Sequence, residues 1–246
     1  MTFHRDAADG IHRVTDGPVN WYLVEDEDGV TIVDAGLPTS WNSLGWGLAE
    51  IGRRRSDVKA LVLTHAHFDH VGFAERVRTE HGVPVHVHAA DEALAHTQKA
   101  PRDGSVLPYL RYPAAWKLAG VMAKAGPPGR LKIAEVTTFA AGDRLDVPGR
   151  PRVIHAPGHT DGSVALHFEG HQALLVGDVL CSRNPLTGRR GVQVMPAAFA
   201  VDAAKALESV DRLEGVEAAV IGFGHGDPWR GGVGAALAEA RATGST

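Results

Sequence analysis

The chain has 246 residues, 44% hydrophobic and 22% charged, a composition that fits a folded globular protein and a length that suits one large domain over 1–246. A formal net charge of −4 provides no general attraction to nucleic acid or to an anionic membrane. Cys181 is the single cysteine, so no internal disulfide can form; with no signal-type apolar segment after Met1 and no run of about 18 apolar residues, a soluble cytoplasmic protein is expected.

Residues 11–14 and 19–24 are predicted strands on either side of an Asp16-Gly17-Pro18 turn, and 30–33 is a third strand ending in Asp34-Ala35-Gly36. Together they predict an antiparallel meander. Thr39 or Ser40 can cap a helix that places Trp41, Leu44, Leu48 and Ile51 on one face. The run Arg53-Arg54-Arg55 reads as solvated cations at the C-terminal end of that helix. Residues 59–63 form a short apolar run that predicts a buried strand, and 71–77 opens a helix. Residues 83–88 alternate with period two; His86 and His88 share a face there and read as structural.

Residues 91–132 carry no strand signal and are rich in Ala, Leu, Pro and aromatic residues such as Tyr109, Tyr112 and Trp116. They predict a helical insertion folded over the sheet edge, with one helix over 114–124 that Gly126-Pro127-Pro128-Gly129 ends. Its aromatic residues can line a substrate pocket, and its apolar surface is a candidate homodimer contact. Strands resume at 136–139, 144–147, 152–155, 163–168 and 173–176. A helix over 203–213, a strand over 218–221, a helix over 233–241 and a frayed tail from Gly244 complete the chain.

Between strand 59–63 and its following helix lies Thr64-His65-Ala66-His67-Phe68-Asp69-His70. Imidazole nitrogens and carboxylate oxygens are ligands for zinc and similar divalent ions. In an extended segment residues two apart point the same way, so His65 and His67 can share one ion. Asp69 and His70 lie past the start of the turn and can face a second position. Packing does not account for such a cluster, because uncompensated polar groups at a buried strand end are costly.

The same arrangement recurs along the chain: an apolar strand ends, a glycine-containing turn begins, and a ligand-type residue sits in the turn. It occurs at Asp34, at the 65–70 cluster, at His159, at Asp178 and at His225. If the strand ends assemble side by side, these residues converge. His65, His67 and His159 would then hold one ion and Asp69, His70 and His225 another, with Asp178 bridging the two. Paired divalent ions about 3.5–4 Å apart share a water and lower its pKa towards neutrality. Asp69 and Asp178 are the carboxylates assigned to that water activation, and the resulting hydroxide would attack an acyl carbon without a Ser or Cys nucleophile. Asp34 is expected to stand behind the ligands, accepting the free N–H of a histidine. Thr64 and Thr160 are weaker candidates for the same kind of support.

In these residues the chain resembles the metallo-β-lactamase superfamily, over nearly its whole length. The resemblance rests on Asp34-Ala35-Gly36, the HxHxDH run from His65 to His70, Pro157-Gly158-His159-Thr160, Gly177-Asp178 and Gly224-His225-Gly226. It implies an α+β fold, an αββα four-layer sandwich with the insertion at about 91–132, and a hydrolase using two divalent ions. Zinc suits the donors, and iron or manganese tolerates them. The metal set is glyoxalase II-like and lactonase-like. Asp178 departs from the pattern of the true β-lactamases, and His67 stands where the di-iron flavoprotein branch has Glu. Cys181 occupies the position, three past the bridging Asp, where acyl-homoserine lactone lactonases place Tyr. The resemblance therefore implies hydrolysis of a small ester, thioester or lactone by a metal-bridging hydroxide. The expected partner is a small-molecule substrate, with no nucleic acid and no membrane. The alternatives are a mononuclear iron persulfide dioxygenase-like oxidoreductase, a β-lactam hydrolase and a non-catalytic metal-binding domain. Cys181 reads as a small buried residue near the site mouth.

Overall fold

The computed structural model describes residues 1–99, 101–126 and 131–244. Its first sheet contains β1 (Thr2–Ala8), β2 (Ile11–Asp16), β3 (Val19–Glu25), β4 (Val30–Val33), β5 (Val58–Val62), β6 (Val85–His88) and β7 (Thr137–Phe139), in that spatial order. β2 to β4 are antiparallel, as the meander predicts, β1 joins β2 antiparallel, and β4 through β7 run parallel. A second sheet is formed by β8 (Arg152–His155), β9 (Val164–Phe168), β10 (Ala173–Leu175) and β13 (Val220–Gly222), in the order β13-β10-β9-β8. A two-stranded ribbon pairs β11 (Cys181–Arg183) with β12 (Arg190–Gln193).

Strand alternation builds the layers. In β3, Tyr22 and Val24 face the second sheet, whereas Trp21 and Leu23 face the helices α1 (Trp41–Glu50) and α2 (Ala74–His81). In β9 and β10, Val164, Leu166, Ala173 and Leu175 fill the space between the sheets. Ala165 and Leu174 point outward, against α5 (Ala203–Ser209) and α6 (Val233–Thr243). Both faces of the central strands are therefore apolar, and the order of layers is helix, sheet, sheet, helix. This is the αββα sandwich.

The 91–132 segment holds α3 (Glu92–Thr97) and α4 (Pro113–Ala125). Ala115 and Leu118 of α4 pack with Leu186 and Ala198, beside Phe199. Pro127 to Gly129 of the expected helix stop lie outside the described residues, as do Ser245 and Thr246 of the tail.

The structure departs from or adds to the sequence reading in three places. Residues 144–147 are not a strand: Leu145 and Val147 are buried between the sheets, but the segment contributes only a single bridge, Arg144 to Arg152. Strand β1 and the β11–β12 ribbon escape the sequence pattern, because their polar and glycine-containing stretches lack an apolar run. The arginine run lies beyond α1; Arg53 donates to Glu25 and to the Asp26 carbonyl, and Arg55 stacks over Trp41. Among the described residues, no helix is long and apolar enough to cross a membrane.

Candidate metal centre

The clustered residues leave the strands on one side of the sandwich. Parallel β4 and β5 end at Asp34 and at the 64–70 turn; parallel β10 and β13 end at Asp178 and His225. His159 lies in the connection from β8 to β9. Backbone hydrogen bonds lock the first two segments together: Ala35 N–H donates to the His70 carbonyl, and Gly72 N–H to the Gly36 carbonyl. A Cβ on Gly72 would lie 2.1 Å from the Leu37 carbonyl carbon, so only glycine permits this approach.

The expected donors converge in three overlapping groups: His65, His67 and His159; His65, His70 and Asp178; and Asp69, His70 and His225. Within each group the ligand atoms lie within 4.8 Å of one another. Asp178 sits between the sets. Its Oδ2 is 3.4 Å from His159 Nε2 and 3.2 Å from His225 Nε2, and its Oδ1 is 3.5 Å from His70 Nε2. Asp69 Oδ2 is 3.5 Å from His225 Nε2.

Supporting hydrogen bonds define which ring nitrogen faces the centre. The Pro18 carbonyl can only accept, so His225 Nδ1 carries a proton at their 2.7 Å contact. Asp34 Oδ2 likewise takes the proton of His70 Nδ1 at 2.9 Å. Thr64 Oγ1 gives its one proton to Asp34 at 2.8 Å, and therefore accepts from His65 Nδ1 at 3.1 Å. In their neutral forms, His65, His70 and His225 thus present Nε2 lone pairs inward. Asp34 adopts φ of 62°, a backbone conformation unusual for a residue with a side chain, and holds three contacts from it.

His65 Nε2, His70 Nε2, His159 Nδ1 and Asp178 Oδ1 are buried without a hydrogen-bond partner. His67 Nδ1 and His159 Nε2 point at one another across 2.8 Å. Unpaired buried polar atoms are costly, and the 2.8 Å contact needs a proton on one of its two nitrogens. A cation among them would give the orphaned atoms a partner, so the donor set fits divalent metal.

The titration behaviour agrees. Burial drives His65 and His159 well below the ordinary imidazole value, helped by neighbouring histidines, and drives His67 down to about 4. Burial also opposes charge on His70 and His225, but the Asp178 carboxylate outweighs it, together with Asp34 for the first and Asp69 for the second, and both are raised. Asp178 is held well below the carboxylate range because His225 and His70 overcome its desolvation. This half of the site demands positive charge, which protons or a metal can supply.

Asp91 is a site residue that the sequence did not reveal. Buried at the start of the insertion, it accepts from Ala66 N–H, Thr160 Oγ1 and Gly162 N–H at 2.7–2.9 Å. It ties the loop carrying His65 and His67 to the loop carrying His159. Thr160, expected to support a histidine directly, instead supports Asp91. Cys181 is fully buried, and burial together with the Asp178 charge pushes its thiol well above the usual range, which removes it as a nucleophile. His88 stacks on His155 with ring centroids 4.1 Å apart; neither it nor His86 joins a donor group among the described residues.

The donors open into a cavity of about 610 Å³. His67, Asp69, His159, Asp178 and His225 form one end, and Leu110, Leu118, Met122, Leu186 and Phe199 line much of the remainder. The insertion therefore walls the cavity, with aliphatic residues more than with aromatic ones. Arg102 also lines it and makes no hydrogen bond or ion pair with the described residues.

The sequence profile of the metallo-beta-lactamase superfamily matches residues 14–225. The chain belongs to that superfamily. Among curated members, it is 27% identical over 248 residues to "Probable metallo-hydrolase YflN" of Bacillus subtilis (strain 168), covering 92% of this chain and 87% of that protein. It is 27% identical over 238 residues to an N-acyl homoserine lactonase of Bacillus sp., covering 85% and 82%. Among solved members, the metallo-beta-lactamase family protein TTHA1429 of Thermus thermophilus superposes with a TM-score of 0.68 at 26% identity, over 95% of this chain and 79% of that one. TTHA1623, solved in a di-iron-bound form, superposes at 0.62 with 27% identity over 93% and 98%. Rm3 metallo-beta-lactamase, 17% identical over 98% and 91% with a TM-score of 0.70, shares the superfamily fold. One of these curated relatives is named a probable metallo-hydrolase and the other a lactonase, and this superfamily member is a hydrolytic enzyme of the same class.

Proposed function

We propose that this chain is a dinuclear metal hydrolase acting on a small ester, thioester or lactone. The observation that carries the reading is the position of Asp178, whose two carboxylate oxygens reach histidines of both donor sets. His65, His67 and His159 would hold one ion; Asp69, His70 and His225 would hold the other; Asp178 would span both. When bound, such a pair supplies Lewis acidity and a water acidified towards neutral pH.

The chain's own residues do the rest. Asp34, Thr64 and the Pro18 carbonyl hold imidazole protons on the outer nitrogens, which keeps the inner lone pairs available. The aliphatic wall from α4 excludes water and accommodates an apolar acyl group. Arg102 is placed to meet an anionic group on the same substrate. The lactonase relative agrees with a cyclic ester as one member of the substrate class.

A mononuclear iron oxygenase would leave Asp69 and His225 without a task, so the complete second set favours hydrolysis. Zinc is the first choice of metal, and the di-iron relative makes iron the second. The test is metal analysis combined with hydrolysis of an ester, thioester and lactone panel. Two equivalents per chain and loss of turnover in Asp178→Ala are expected. One equivalent of iron with oxygen uptake on a persulfide, or full hydrolysis by metal-stripped protein, would reject the reading.

A further inference from the structure

A second cavity, of about 360 Å³, lies on the other side of Leu118 and Pro185, which line both spaces. Its chemistry differs from that of the first. Arg13, Lys117 and Arg183 line it, and Asp227 is the one acidic residue on its wall. Arg13 is 5% exposed; its guanidinium reaches Asp227 at 3.1 Å and the Gly226 carbonyl at 2.9 Å, yet its buried Nε has no partner. The side chains of Lys117 and Arg183 make no hydrogen bond or ion pair with the described residues. Asp227 pairs Arg13, which leaves Lys117 and Arg183, both exposed, facing the cavity without a carboxylate partner, and the buried unpaired guanidinium nitrogen of Arg13 is itself costly. His4, on the same wall, is held below its ordinary value by burial and by the Arg13 charge.

The geometry points to a binding site for a small organic anion, a phosphate monoester or a polycarboxylate, between Arg13, Lys117 and Arg183. Guanidinium groups pair with planar or tetrahedral oxyanions through several charge-assisted hydrogen bonds, and the ammonium of Lys117 adds a point charge. The site lies directly behind a proposed metal ligand. Pro18 lines it, and the Pro18 carbonyl takes the Nδ1 proton of His225; Arg13 grips the carbonyl of Gly226, the next residue. An anion there would rest on the backbone that positions His225 without entering the catalytic cavity.

Calorimetric titration of the metal-loaded protein with inorganic phosphate, phenyl phosphate and citrate, at matched ionic strength in chloride, tests the assignment. Saturable binding is expected, and a phosphate-over-citrate preference would separate the two ligand sources. The double variant Lys117→Ala/Arg183→Ala should bind the preferred anion about tenfold or more weakly. Its melting temperature and its turnover of a neutral ester should stay near wild type, because neither residue has a structural partner or contacts the metal donors. No saturable binding of any of the three anions would overturn the proposal. Binding of equal strength in the double variant, as expected for phosphate seated on the metals, would overturn it too.

Discussion

Asp34 and His70 are joined by a 2.9 Å hydrogen bond that decides which nitrogen of His70 faces the other clustered donors. The same carboxylate holds Thr64 through its backbone N–H and its hydroxyl, and Thr64 in turn orients His65. One buried side chain therefore prepares a ligand in each donor set. Asp34→Ala should lower turnover and metal affinity by about 10–100-fold, the usual consequence of losing a partner behind a ligand. Metal occupancy by elemental analysis, with kcat on the same samples, checks this. Unchanged occupancy and kcat would show that His70 needs no orienting partner.

Gly224 should be irreplaceable although its backbone is ordinary. A Cβ there would lie 2.1 Å from Asp178 Oδ1 and 2.7 Å from the His70 ring. Gly224→Ala should displace the Asp178 carboxylate and reduce turnover by about a hundredfold while leaving the fold intact. Circular dichroism and metal content distinguish that outcome from unfolding.

Acid should destabilise the metal-free protein. His65, His67 and His159 have folded values below 6.5, so the unfolded chain binds more protons than the folded one as pH falls from 6.5. Their contribution is present above 6.5 and is lost as pH drops through the folded values, which for His67 is about 4. His70 and His225 have raised values; their contribution is complete below 6.5 and is lost only as pH rises through those values. The slope just below 6.5 therefore belongs to the first three. Denaturant midpoints of chelated protein across this range should fall with acid. A flat profile would contradict the buried neutral state of these histidines.

Asp91→Ala should cost about 3 kcal/mol of stability, because it strands the buried N–H groups of Ala66 and Gly162 and the Thr160 hydroxyl. Asp91→Asn should recover part of the loss through its remaining carbonyl acceptor. Thermal unfolding of both variants is the measurement. Equal stability of the alanine variant and wild type would mean that water replaces the carboxylate.

The cavity wall should control acyl size. Met122→Trp places a bulky ring among the apolar residues that line the cavity. KM for a long-chain ester should rise about tenfold, the scale of a few displaced methylenes, with acetyl ester turnover little changed. A uniform loss across chain lengths would place the acyl group elsewhere.

Sequence alone determined the chemistry on offer, and the layer architecture came with the superfamily resemblance those same residues carry. A histidine-rich turn at an apolar strand end has few uses other than metal. Period-two alternation and glycine-bearing turns are local properties, so they are legible in a linear text. Tertiary structure decided what depends on distant partners. It determined which ring nitrogen faces inward, since the partners of His70 and His225 are 36 and 207 residues away. It recruited Asp91 from what reads as the edge of an insertion, because its three donors come from two other loops. It left 144–147 buried but with only a single bridge, since burial follows from hydrophobicity whereas a ladder needs a neighbouring edge. It also gathered Arg13, Lys117 and Arg183, which lie far apart in sequence on β2, α4 and β11, around one cavity.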